Sequence, residues 1–333
     1  MSALVITSCQ FDAPAHREVP DALQPRGTGA GIVLAEMWWH LVFGTAVFVG
    51  VMGLLLAIVW RQRHASPVEG LDEADITRGE ARGVRWIWWG GIVMPVLVLT
   101  VIFGRSMVSL AALQSPEEPE TVTIEVTGHR WWWEVRYPVE DIVTANELHI
   151  PAGEPVHLEL HAQDVIHTFW VPQLHPKIDM LPGETNELWI QADQPGIYRG
   201  ICAEFCGLQH ARMQFQVVAM EPAGYREWVE DRQQPPPEPT TELALQGREV
   251  FMDHNCAQCH AIAGTSAVGQ IGPDLSDLAT RLTLAGGVYR NNPGNLGGWL
   301  VDPQAMKPGA LMPATPLDGE ELQALLAYLG TLE

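Results

Sequence analysis

The chain has 333 residues, room for two or three domains. Its formal charge is −21, from 40 Asp and Glu against 19 Lys and Arg, which argues against a nucleic-acid partner. Acids outnumber bases 31 to 11 after residue 113 and balance them to within one before it, so the acidic part suits either simple solubility or a basic protein partner drawn in by electrostatic steering.

Residues 1–33, rich in Pro, Ala and Gly and without sustained periodicity, predict a mostly unstructured segment. The run Ile6-Thr-Ser-Cys9 is similar to the end of a lipoprotein signal. It is too short and lacks a basic start, so Cys9 reads as a free cysteine. Residues 34–113 hold two almost wholly apolar runs, 35–60 and 86–113, each long enough for the roughly 20 residues that cross a bilayer. Soluble helices rarely stay apolar on every face for so long. Trp38, Trp39, Trp60, Trp86, Trp88 and Trp89 sit near the ends of the runs, where interfacial aromatics belong. The connecting loop carries Arg61, Arg63, Arg78, Arg82 and Arg85, whereas 114–129 has no Lys or Arg. The positive-inside rule therefore puts the loop in the cytoplasm and both termini outside it.

From about 114 to 232 the pattern changes to short period-two runs such as Thr121-Val-Thr-Ile-Glu-Val-Thr and Val156-His-Leu-Glu-Leu-His, separated by Pro-Gly turns. These predict an antiparallel β-sandwich or barrel. Within it, Cys202, Cys206, His210 and Met213 lie in twelve residues, and His167 precedes them in Asp164-Val-Ile-His167. Thiolate, imidazole and a weak thioether make the ligand set of cupredoxin-type copper, not of structural zinc. Two thiolates on one loop can bridge a pair of coppers, with His167 and His210 serving one each and Met213 and a backbone carbonyl as weak axial ligands. A Cys202–Cys206 disulfide is the alternative. His149, His157 and His161 match no such element and read as solvated strand positions.

The pattern Cys202-x-Glu204-x-Cys206-x-x-x-His210-x-x-Met213 resembles the binuclear CuA domain of the cytochrome c oxidase subunit II family. The resemblance implies that the Glu204 carbonyl is a copper ligand and that its carboxylate faces a Mg or Mn ion shared with subunit I. Gly128-His-Arg-Trp131-Trp-Trp resembles a further element of that family, with Arg130 in place of the usual glutamine. Trp131 would then lie over the copper site where electrons enter. Three consecutive tryptophans on a strand cannot all point inward, so at least one must meet solvent, lipid or another protein. Asp164, Lys177 and Asp179 match family positions that imply contacts with the partner subunit, with ordinary surface charge as the competing reading.

The proline-rich run 233–241 predicts a semi-rigid spacer between independent folding units. Behind it, in 242–333, Cys256-Ala-Gln-Cys259-His260 is the haem c attachment signature, with Cys256 and Cys259 as thioether donors and His260 as axial ligand. Helices are predicted over 242–254 and, from an Asp318–Glu321 capping box, through Leu329. The domain resembles the all-α class I cytochromes c. There the two helices cross at a glycine among aromatics, here Gly247, Phe251 and Tyr328, and the Gly272-Pro273 carbonyl takes the proximal histidine's proton. By the same resemblance Lys307-Pro-Gly-Ala-Leu-Met312-Pro carries the sixth ligand, Met312, with Met306 as competitor, and Trp299 lies near the haem propionates or simply packs.

The expected fold is thus a multidomain membrane protein: a two-helix transmembrane hairpin, a cupredoxin-like sandwich and a class I cytochrome c domain. The expected function is electron transfer in a haem–copper oxidase of a bacterial plasma membrane. An external donor, such as a cytochrome c or a respiratory complex, would reduce haem c, then CuA, then a haem of subunit I, where oxygen reduction and proton pumping take place. Further membrane subunits are expected beside subunit I. A CuA-bearing nitric oxide reductase of the same superfamily is the alternative. A copper-storage protein would need neither haem nor Trp131, and nitrous oxide reductase would need a histidine-rich copper domain absent from the sequence.

Overall fold

The computed structural model describes residues 21–64, 73–114 and 122–333, so Cys9 lies outside the described residues. The chain forms two compact units, one of Gly31–Pro116 and one joining the residues up to Ala30 to those from Glu117 onward.

In the first unit, helix α1 (Thr28–His64) is followed by α2 (Glu73–Trp88), a π turn (Trp89–Val93) and α3 (Met94–Gln114). Two helical stretches, Thr28–His64 and Thr77–Gln114, are long and apolar enough to cross a membrane. They exceed the apolar runs because helical backbone continues into polar flanks, such as Arg61, Arg63 and His64 in the last turn of α1. Two charges lie inside the apolar stretches, and they neutralise each other, as charges in lipid must. Arg105 Nε contacts Glu36 Oε1 at 2.9 Å and the Ser109 hydroxyl donates to the same oxygen at 2.6 Å.

The segment expected to be unstructured is partly ordered. The Arg26 amide donates to the Gln173 carbonyl at 2.7 Å, the Asp193 amide to the Arg26 carbonyl at 2.8 Å, and the Ala30 amide to the Leu174 carbonyl at 2.9 Å. Backbone bonds of this kind leave no trace in side-chain periodicity.

The sandwich has ten strands: β1 (Val122–His129), β2 (Trp132–Tyr137), β3 (Ile142–Ala145), β4 (Glu147–Pro151), β5 (Val156–Ala162), β6 (His167–Trp170), β7 (Ile178–Met180), β8 (Asn186–Ile190), β9 (Gly196–Cys202) and β10 (Gln214–Met220). One sheet has the order β3-β2-β1-β5-β8 and the other β4-β10-β9-β6-β7. Neither is purely antiparallel, since β1 pairs with β5 and β10 with β4 in parallel. Such pairings join strands distant in sequence, which turn signals cannot announce. Val122, Ile124 and Val126 on β1 and Val156, Leu158 and Leu160 on β5 alternate inward, and Trp133, Phe169 and Phe215 fill the centre. Helix α4 (Pro222–Arg232) closes one side by stacking Trp228 on His149, 4.4 Å between ring centroids. His149 is therefore not a solvated strand position. Burial pushes its pKa down to about 4 and keeps it neutral.

The C-terminal domain comprises α5 (Glu242–Asp253), the two-residue strands β11 (Thr283–Leu284) and β12 (Tyr289–Arg290), α6 (Pro293–Val301), α7 (Pro303–Met306) and α8 (Gly319–Leu329). The Thr241 hydroxyl caps α5, and a full Asp318–Glu321 capping box opens α8. The two helices cross at Gly247, where a Cβ would stand 1.9 Å from the Ala324 carbonyl oxygen, so only glycine allows the approach. Phe251 and Tyr328 pack edge-on beside the crossing, 5.9 Å between centroids.

The spacer does not leave the sandwich and the C-terminal domain apart. The Thr144 hydroxyl donates to Asp277 Oδ2 at 2.5 Å, and Asp277 is also paired with Arg281. Glu147 Oε1 accepts from the amides of Leu282, at 2.7 Å, and Thr283, at 3.1 Å. The side chains of Thr144, Glu147, Asp277 and Arg281 are all buried.

Candidate metal centres on the sandwich and the C-terminal domain

The copper-type donors converge at one end of the sandwich. β6 supplies His167 and β9 ends on Cys202, while Glu204, Cys206 and His210 occupy the loop to β10, which Met213 closes. Phe169 pairs with Cys202 across β6 and β9, which fixes His167 beside the loop. The two sulfurs are 3.8 Å apart, far beyond the roughly 2.05 Å of a disulfide. Cys202 Sγ lies 3.9 Å from His167 Nδ1 and 3.2 Å from the Glu204 carbonyl oxygen. Cys206 Sγ lies 3.8 Å from both His210 Nδ1 and Met213 Sδ. The donors thus form two half-sites sharing a thiol pair, which fits two bridged metal ions, and the Met213 thioether is a soft donor for which a structural zinc has no use. His167, Cys202 and Cys206 are also the one group among the described residues with metal-ligand spacing.

The electrostatics favour a thiolate on one sulfur of the pair. The hydrogen bond from Cys206, aided by His167, holds the Cys202 thiol well below the usual thiol range, whereas the same bond and then burial push Cys206 up. Burial alone would lower the His167 pKa, but its bonds to Cys202 and Asp164 raise it on balance.

Asp164 has a role that its sequence position left open. Its Oδ1 meets His167 Nε2 at 2.9 Å, which turns Nδ1 toward the sulfurs. Its Oδ2 accepts from the Arg130 amide at 2.8 Å and from Arg130 Nε at 3.3 Å. The Arg130 departure from the family pattern therefore braces the carboxylate that braces His167. The i, i+3 spacing of Asp164 and His167 was the available signal. The Glu204 side chain is exposed at the loop surface.

Of the three tryptophans, Trp131 occupies the turn before β2 and its indole Nε1 donates to the Cys206 carbonyl at 3.0 Å. Trp133 is fully buried, and Trp132, on the opposite face, stacks on His129 at 4.3 Å. Trp131 is only 8% exposed, because residues of the C-terminal domain cover it.

In the C-terminal domain Cys256 and Cys259 flank a 3-10 turn as free, half-buried thiols, with His260 immediately after. His260 Nδ1 donates to the Pro273 carbonyl at 2.7 Å, which leaves Nε2 as the free ligand atom. Burial lowers the His260 pKa and keeps the imidazole neutral, as a metal ligand must be. Met312 is half-buried against the domain core, while Met306 Sδ lies beside Gly298 of α6. This donor set fits a haem c.

A cupredoxin-type sandwich with paired soft donors, two membrane-length apolar helices and a haem c signature define a membrane-anchored electron-transfer protein. The sequence model for the periplasmic domain of cytochrome c oxidase subunit II matches residues 139–220, and that for cytochrome c matches residues 244–333. Cytochrome c oxidase subunit 2 of Alkalihalophilus pseudofirmus is 37% identical over 313 residues, covering 94% of this chain and 90% of the relative. That of Bacillus sp. strain PS3 is 32% identical, covering 72% of each chain. Among solved structures, the periplasmic domain of subunit II of cytochrome oxidase of Bradyrhizobium japonicum is 30% identical. It covers 35% of this chain and 96% of that one, with a TM-score of 0.34. The chain belongs to the cytochrome c oxidase subunit II family. Membership makes it an electron-accepting subunit of a terminal oxidase in a membrane, with a periplasmic domain and subunit I as partner. The two matches imply copper in the sandwich and haem c behind it.

Proposed function

We propose that this chain relays electrons from an external donor through its C-terminal domain, then its sandwich, to a haem in subunit I, where oxygen is reduced and protons are pumped. The donor is a cytochrome c or a respiratory complex. The observation that carries the reading is the pair of half-sites: His167, Cys202 and the Glu204 carbonyl on one side, Cys206, His210 and Met213 on the other, joined by sulfurs 3.8 Å apart. A binuclear copper and a covalently bound haem c supply one-electron redox chemistry when bound. The chain supplies the rest: Cys256 and Cys259 as thioether donors, His260 and Met312 as axial ligands, and Trp131 between the two sites. The Glu204 carboxylate, whose exposure leaves it accessible, shares a Mg or Mn ion with subunit I in this reading. The arginine-rich loop between the spans faces the cytoplasm, and both termini and both redox domains face outward, in a bacterial plasma membrane.

Weak axial thioethers tune copper more than they retain it. Met213→Leu is therefore expected to keep two coppers per chain while shifting the potential of the site and slowing its reduction. Metal analysis and redox titration of the purified complex check this, and a folded variant without copper would overturn the ligand assignment. The same complex should consume oxygen when given a reduced donor; turnover of nitric oxide instead would assign it to the reductase branch.

A further inference from the structure

The surface over Trp131 is occupied by the chain's own C-terminal domain, and the Lys307 side chain bonds directly to Trp131 there. Lys307 is one of two lysines in the sequence and is buried. Its Nζ donates to the Trp131 carbonyl and to the Ala285 carbonyl, each at 2.9 Å. Both bonds need only N–H donors, so either protonation state of the amine makes them. A buried amine is costly unless hydrogen-bonded, and a compact donor between two carbonyls suits lysine better than the planar fork of arginine.

Around this bond the two domains come into backbone contact. A Cβ on Gly286 would stand 2.6 Å from the Trp131 carbonyl oxygen and 2.8 Å from Lys307 Nζ. One on Gly309 would stand 3.0 Å from Leu208 of the copper loop and 3.9 Å from the Trp131 ring. Both glycines have positive φ, at +70° and +86°, which other residues seldom adopt. The Gln214 amide donates to the Gly286 carbonyl at 2.8 Å, Arg212 Nη1 to the Met306 carbonyl at 2.8 Å, and Gln209 Nε2 to the Pro308 carbonyl. The loop 306–312, which carries Met312, is thus joined through Lys307 to Trp131, and Trp131 is joined through its indole to Cys206.

We infer that Lys307 is a positioning residue that fixes the Met312 loop on Trp131, making the C-terminal domain a permanently docked electron donor to the copper site rather than a tethered shuttle. This rests on the proposed relay. Electron transfer falls steeply with separation, so a fixed contact sets one rate, whereas a tethered domain would have to find the surface at each turnover. The Trp131 face is also closed to any external protein, and the external donor must dock on the C-terminal domain itself.

The test compares full-length, metal-loaded complexes carrying Lys307, Lys307→Met and Lys307→Gln, the last of which keeps N–H donors on a shorter side chain. Two readings are taken: amide hydrogen exchange in 285–287 and 306–310, and the rate of haem-to-copper transfer after flash reduction of the haem. Lys307→Met is expected to keep both metal absorption spectra, to speed exchange in those segments at least fivefold and to slow transfer about tenfold, with Lys307→Gln between. Unchanged exchange would overturn the inference, and so would faster exchange with unchanged transfer, which would reduce the contact to packing. If Lys307→Met does not assemble, Lys307→Gln against the unaltered complex decides by the same two readings. If the unaltered complex passes no electrons from haem to copper, the relay fails, and the exchange comparison still decides whether Lys307 holds the loop.

Discussion

The interior of the sandwich and its junction with the C-terminal domain are both buried, and they are built from opposite materials. The interior is Trp133, Phe169, Phe215 and aliphatic side chains, with stacked and edge-on rings 4.6 to 6.1 Å apart. The junction is Thr144, Glu147, Asp277, Arg281 and Lys307, nearly every one bound to a named partner. Apolar burial stabilises in proportion to area and tolerates some choice of neighbour. Buried charge contributes little net stability, yet removing one member is costly because its partner remains. The interior therefore holds the copper loop's scaffold together, and the junction specifies where the second domain sits.

Substitutions separate the two. The largest loss is expected from Trp133→Ala, which opens a cavity at the centre of the sandwich and should cost about 3–5 kcal/mol in thermal unfolding. It should also weaken copper binding, since the Trp133 ring lies 6.0 Å from that of His167. Asp277→Ala comes next. It strands Arg281 without its carboxylate and should cost about 3 kcal/mol, loosening the junction while the copper absorption of the sandwich stays intact. Limited proteolysis of the 233–241 spacer, faster in this variant than in Trp133→Ala at matched stability, would sharpen the contrast.

Glu147 gives a pH signature. Burial outweighs the nearby Arg281 and the accepted amide bonds and raises its pKa to about 7 from 4.5. A raised carboxyl pKa means that the folded chain binds the proton more tightly than the unfolded one. The stabilising contribution is present in full below pH 4.5 and is lost as pH rises through about 7. Glu147→Gln keeps an acceptor for the Leu282 and Thr283 amides and removes the titration. Relative to that variant, the unaltered protein should therefore lose up to about 3 kcal/mol of stability between pH 4.5 and about 7, while groups common to both, such as His149, cancel in the difference. Parallel slopes for the two proteins between pH 4.5 and 8 would show that Glu147 is not the titrating group.

The soft-donor cluster on the sandwich was legible because such donors are scarce and the five positions Cys202, Glu204, Cys206, His210 and Met213 fall within twelve residues. Cys256-x-x-Cys259-His260 was legible for the same reason. The sandwich was readable from its alternation, but not its two parallel pairings, since β1 meets β5 across three intervening strands. The junction was not legible at all. Thr144, Glu147, Asp277 and Arg281 are ordinary surface residue types, and nothing local marks them as partners. The proline-rich spacer pointed the other way, toward independent domains, because composition reports the stiffness of a linker and not what its ends do afterwards. His149 was misread for a related reason: Trp228, which covers it, arrives from a helix 79 positions later.

The junction also has a history within each chain's synthesis. Its bonds join residues 72 to 176 positions apart, and contacts so distant in sequence form late. Domains fold in the order they emerge, and every strand of the sandwich precedes α5. Each newly made chain therefore passes through an interval in which the sandwich is complete and the Trp131 side of the copper loop is still bare.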